Sequence, residues 1–141
     1  MSQLTHPSAH AVEPANEVLA SQQEYALVII STASLQTQGM AMALSRALQE
    51  QGVQLNILLC DKAADLAIAS YHSAAALEPK GMRPENLLQK MLEDGAQVAV
   101  CALYLPNSCY KEQDLRQGVN VAQPAQIAQM MRSKDTKVFN F

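Results

Sequence analysis

Cysteine is the residue type in this chain best suited to covalent chemistry, and the stretch Gln97 to Cys109, QVAVCALYLPNSC, holds two of its three cysteines. An apolar, β-rich run carries Cys101, and a Pro-Asn-Ser turn presents Cys109. A thiolate is a strong nucleophile that needs backbone N–H groups or a nearby cation to hold its charge. Lys111 and Arg116 follow closely enough in sequence to be candidate cations, and His72 is a candidate base for Cys101. Open parallel sheets bind ligands beyond the carboxyl ends of their strands, which is where Cys101 would lie.

Each of these residues also has a plainer role. Free cysteine behaves as a small hydrophobe, so Cys101 is equally readable as strand packing. Lys111 and Arg116 are readable as solvated surface residues. Cys109 is either an accessible auxiliary thiol that folds back toward Cys101 or an unreactive loop residue, and sequence does not supply the Cα separation that decides. Cys60 ends another apolar run beside Asp61, whose charge would disfavour a thiolate, and it reads as core filling.

Other chemistries find no matching pattern. Ser31 to Gly39, STASLQTQG, places hydroxyls before a helix, but turn formation and capping account for them. The chain carries no GxGxxG, phosphate loop, HExxH, EF-hand or GxSxG pattern. The cysteines form no CxxC pair, and Pro7 between His6 and His10 spoils a helical metal pair. No organic cofactor and no metal are expected.

Composition narrows the classes further. A chain of 141 residues fits one domain, and 49% hydrophobic against 16% charged residues is a low charge content for a fully solvated surface. Some apolar surface is therefore expected between subunits. The net charge is −3 and the ten basic residues are scattered, so a nucleic-acid groove is not expected. No apolar run approaches the roughly 20 residues that span a bilayer, and the first residues lack a signal-peptide pattern. Three cysteines cannot all pair within one chain, which fits a reducing, cytoplasmic setting.

The elements that must position the thiols follow from hydrophobic period. Residues 1–24 read as a flexible arm and 25–141 as the folded domain, with a helical turn near Asn16 to Ala20. Ala26 to Ser31, Val53 to Cys60, Gln97 to Leu103, Val119 to Val121 and Thr136 to Phe141 read as strands. Between them, Met40, Leu44, Ala47 and Leu48 mark one inward helical face, and Leu87, Leu88, Met91 and Leu92 a second behind Pro84. Ile127, Met130 and Met131 mark a third behind Pro124. Asp61 is expected to cap a helix containing Ala64, Leu66, Ala67 and Ala69, and Tyr71 to Arg83 is the longest internal loop. Alternating strands and helices imply an α/β three-layer sandwich with a central, mostly parallel sheet.

In order and spacing, ALVIISTASLQTQG, LLQKMLEDG, VAVC, DLRQGVNV and KVFNF resemble the DsrE/DsrF-like family, which includes sulfur-relay proteins related to the TusD subunit. The resemblance covers Tyr25 to Phe141. It implies a flavodoxin-like layered fold, assembly as a homotrimer or homohexamer, and exchange with sulfur-donor and sulfur-acceptor proteins. It also implies that Cys101 carries sulfur as a persulfide, while Cys109 lies farther along than the second cysteine of some relatives. The rival expectation is a non-enzymatic oligomeric binding or regulatory protein, or a thiol redox sensor.

Overall fold

The computed structural model describes residues 22–141. The expected arm, its helical turn and the pair His6 and His10 fall wholly or mostly outside this range.

Five strands form one sheet in the order β4-β3-β2-β1-β5: β1 Tyr25–Ile30, β2 Gln54–Leu59, β3 Gln97–Val100, β4 Val119–Val121 and β5 Thr136–Asn140. Every neighbouring pair is parallel. Three helices connect them: α1 Leu35–Glu50, α2 Pro84–Glu93 and α3 Pro124–Arg132. The central strands are apolar on both faces because helices must cover both sides of a parallel sheet. Leu55, Ile57 and Leu59 of β2 face the larger core with Val98 and Val100 of β3. Leu58 turns to the opposite face, where Leu27, Ala122, Ile127 and Met130 gather. The result is the expected α/β sandwich with a central parallel sheet.

Several local expectations are corrected. Met40 and Leu44 of α1 are about half exposed, at 49% and 50%, and Ala47 is exposed as well. The buried face is instead Gln38, Gly39, Ala41, Met42 and Ser45. Small residues let the helix approach closely; a Cβ on Gly39 would run into the Leu77 side chain. Gln38 reaches back to the Thr32 carbonyl at 2.9 Å, while Ser34 caps α1 by accepting from the Thr37 N–H. Met131 likewise faces outward from α3, leaving Ile127 and Met130 against the sheet.

After β2 the chain does not enter a helix capped by Asp61. It forms a 3₁₀ segment, Asp61–Ala67, preceded by Cys60, with no side-chain cap. Asp61 has φ 51°, a left-handed conformation that Asp tolerates better than most residues, and it turns the chain sharply off the strand. Ala63, Ala64, Leu66 and Ala67 are buried, whereas Ala69 is exposed. β3 stops at Val100 rather than running to Leu103, because a turn closes immediately, with the Tyr104 N–H donating to the Cys101 carbonyl at 3.0 Å.

Candidate functional site

Two strand ends build the site. Leu59 of β2 lies opposite Val100 of β3, so the residues that follow, Cys60 and Cys101, leave the sheet side by side. Cys60 keeps extended dihedrals, φ −131° and ψ 159°, and its N–H donates to the Ile30 carbonyl at 2.9 Å. The Cys101 N–H donates to the Leu59 carbonyl at 2.9 Å. Both cysteines pack on the α3 side of the sheet, in phase with Leu58 and Ala99. The two thiols are close enough for Cys101 to act on the titration of Cys60.

Around them opens a cavity of about 830 Å³ whose lining includes Cys60, Cys101 and Cys109. One wall is the turn after Asp61, with Lys62 and Asp65; the other is the loop from Leu103 to Tyr110. That loop holds itself together locally. Asn107 Nδ2 donates to the Leu103 carbonyl at 2.8 Å, Ser108 Oγ to the Leu105 carbonyl at 3.0 Å, and the Tyr110 N–H to Ser108 Oγ at 3.1 Å. Tyr104 and Tyr110 stack with ring centroids 6.5 Å apart. Cys101 and Cys60 are half-buried and Cys109 is exposed, and all three are free thiols.

Electrostatics separates the two strand-end thiols. Burial, then the neighbouring Cys101 thiol and finally Asp61 push the Cys60 thiol up to about 12. Cys60 therefore holds its proton more firmly than a free thiol does. Burial, and then its bond to Asp65, also raise the Tyr104 phenol, so that wall of the cavity stays neutral. Lys62 supplies the positive charge among the lining residues.

Cys101 and Cys109 thus share the cavity, but the other sequence candidates do not line it. Lys111 is exposed, and its backbone N–H donates to Asp114 Oδ2 at 2.8 Å in the next turn. Arg116 is half-buried and braces the 3₁₀ segment, its Nε donating to the Leu66 carbonyl at 2.9 Å; burial lowers its pKa, opposed by Glu85. His72 is exposed on the loop after Tyr71. Sequence reasoning set Cys60 aside as core filling, although it lines the cavity, and passed over Lys62, Asp65 and Tyr104. One signal pointed to Cys60: two apolar strands each end on a cysteine. Among the described residues, no group of three His, Cys, Asp or Glu side chains is placed to hold a metal ion.

This architecture has solved counterparts. The ychN protein from E. coli superposes with a TM-score of 0.66 at 19% identity, covering 84% of this chain and 99% of its own. The protein of unknown function MTH1491 from Methanobacterium thermoautotrophicum gives 0.68 at 11% identity, covering 84% of this chain and 100% of its own. The chain has the DsrE/DsrF-like fold. At these identities the likeness speaks for fold alone. No protein-family model matches the sequence, and no curated protein matches it. Among the described residues, no helix is long and apolar enough to cross a membrane.

Proposed function

We propose that this DsrE/DsrF-like chain is a sulfur-relay protein in which Cys101 carries sulfur as a persulfide and hands it to a partner thiol. The observation that carries this reading is the mounting of Cys101: a half-buried thiol just past a central strand, open to a cavity lined by two further thiols. Loading is a thiolate substitution. Cys101 sulfur attacks the outer sulfur of a donor persulfide, forms Cys101–S–SH, and the donor leaves as its thiolate. In delivery, an acceptor thiolate attacks that outer sulfur and Cys101 leaves as thiolate. Lys62 supports the negative charge in both steps, and Cys109 is an auxiliary thiol at the cavity mouth. Neither step requires a metal or an organic cofactor, and a reducing compartment such as the cytoplasm keeps the thiols available.

The working unit in this proposal is a homotrimer or homohexamer. Its support is apolar surface: Leu44 and Leu48 of α1 line a hollow with Phe139 of β5 and Phe141, while Met40 and Val138 are also exposed.

The test is to incubate reduced protein with glutathione persulfide, locate the added sulfur by peptide mass spectrometry, and then add acceptor thiols. Cys101→Ser is expected to abolish transferable sulfur. Cys109→Ser is expected to alter the lifetime of the adduct more than its formation. Equal loading and transfer by wild type and Cys101→Ser would defeat the proposal. Partner or ligand binding that does not depend on Cys101 would instead favour an oligomeric binding protein.

A further inference from the structure

Sequence reasoning left open whether Cys109, the nearest cysteine along the chain, folds back toward Cys101. Strand register sets Cys60 beside Cys101. Leu59 and Val100 are direct partners and the last rung of that parallel ladder, so Cys60 and Cys101 follow it side by side. Adjacent strands run about 4.8 Å apart, within the roughly 4.4–6.8 Å between Cα atoms that a disulfide bridges. Both side chains pack with Leu58 and Ala99 on the α3 face, where Cys101 also reaches the larger core, and the two thiols are close enough for one to act on the titration of the other. Cys109 lies beyond a turn and a 3₁₀ segment, Leu105–Asn107, on the exposed side of the cavity.

We infer that Cys60 is the resolving thiol of Cys101: it attacks Cys101 Sγ once that sulfur is capped, closes a Cys60–Cys101 disulfide and expels the cap. With a mixed disulfide, Cys101–S–S–R and Cys60–SH become the Cys60–Cys101 disulfide and RSH. The Cys60–S bond to Cys101 Sγ forms, the S–SR bond breaks, and the Cys60 proton goes to the departing thiolate. With a persulfide, Cys101–S–SH and Cys60–SH become the same disulfide and H₂S. The Cys60 thiol sulfur is then oxidised to the disulfide level and the terminal persulfide sulfur is reduced to sulfide, while Cys101 Sγ keeps its oxidation state. A dithiol reductant restores the starting pair. The persulfide branch rests on the sulfur-relay reading above; the mixed-disulfide branch does not.

The site orders these events. While Cys101 is free, its presence adds to the burial that holds the Cys60 proton. Capping Cys101 lifts its contribution, while burial, the first cause, and Asp61 remain. The Cys60 proton is thus held less firmly once there is something to resolve. The consequence for a sulfur carrier is a discharge route: a persulfide that finds no acceptor is released as hydrosulfide, and the carrier is left closed until it is reduced.

The experiment uses the full chain in two arms. First, reduced wild type and Cys60→Ser are treated with oxidised glutathione, and the products are digested without reduction. Trypsin leaves Cys101 and Cys109 on one peptide, since it cuts at Lys62, Lys90 and Lys111, so chymotrypsin is added to cut at Tyr104 between them. Wild type is expected to lose two hydrogens and yield a Cys60–Cys101 crosslink with Cys109 free. Cys60→Ser is expected to accumulate glutathione on Cys101, its release slowed about tenfold or more. In the second arm, glutathione persulfide should give hydrosulfide release from wild type and a long-lived Cys101 persulfide in Cys60→Ser.

Glutathione persisting on wild-type Cys101, or a crosslink from Cys101 to Cys109, overturns the inference; this readout on the wild type does not depend on the variant folding. Closure by oxidised glutathione with no persulfide adduct in Cys60→Ser upholds the resolving thiol and removes the sulfur-relay reading.

Discussion

The Tyr104 hydroxyl donates to Asp65 Oδ1 at 2.6 Å, joining the turn after β3 to the 3₁₀ segment after β2. These are the two walls between which Cys60 and Cys101 emerge, so this bond helps set the width of the cavity. Tyr104→Phe leaves a carboxylate without its phenol donor and is expected to cost about 1–2 kcal/mol, measured by urea unfolding at pH 7. The pH dependence has a defined sign. Folding raises the Tyr104 pKa, so the native state holds a proton that the unfolded chain releases above about pH 10. Stability therefore falls as pH climbs past that value, and the fall should be shallower in Tyr104→Phe.

Cys60 gives a second test of the local electrostatics. Cys101→Ala removes the neighbouring thiol that helps push Cys60 up to about 12, leaving burial and Asp61. Cys60 should then react faster with iodoacetamide at pH 9, by about tenfold for each pKa unit lost. Peptide mapping of the labelled protein reads this directly. An unchanged rate would mean that Cys101 does not restrain Cys60.

Lys62 brings positive charge to the cavity lining beside Cys101. In Lys62→Gln, modification of Cys101 by the anionic reagent iodoacetate should slow about threefold relative to neutral iodoacetamide. The ratio of the two rates isolates charge from access, and high salt should erase the difference. A ratio equal to wild type at low salt would remove Lys62 from the account.

Outside the site, Glu85 is a buried carboxylate with a structural task. Only 2% of the residue is exposed, and its Oε2 accepts from the Ser73 N–H at 2.8 Å and the Ser73 hydroxyl at 3.1 Å. Glu85→Ala strands that N–H and is expected to cost about 2–3 kcal/mol, with Glu85→Gln milder because an acceptor remains. Denaturant melts of both variants supply the comparison.

Assembly can be challenged at its apolar surface. Leu44 and Phe139 line the same hollow, and both are well exposed in the single chain. Leu44→Glu together with Phe139→Glu should convert a homotrimer or homohexamer to a species of 15.3 kDa by light scattering. A wild type already at that mass across concentrations would reject the assembly proposal.

Sequence alone determined the alternation of strands and helices, because each apolar run writes its own period: YALVII, QLNILL and QVAV are continuous strands, and Pro84 and Pro124 open helices. It also singled out Cys101 at the end of a central strand. It misjudged α1, where Met40 and Leu44 stay exposed while Gly39, Ala41 and Ser45 make the close contact around Met42. Hydrophobicity records how much a side chain gains from burial, whereas the close approach of a helix selects side chains small enough to permit it. Tertiary structure alone decided the partner of Cys101. Side-chain alternation along a strand is local and legible, but register is a relation between strands 41 residues apart, and the pairing of Leu59 with Val100 is what brings Cys60 beside Cys101.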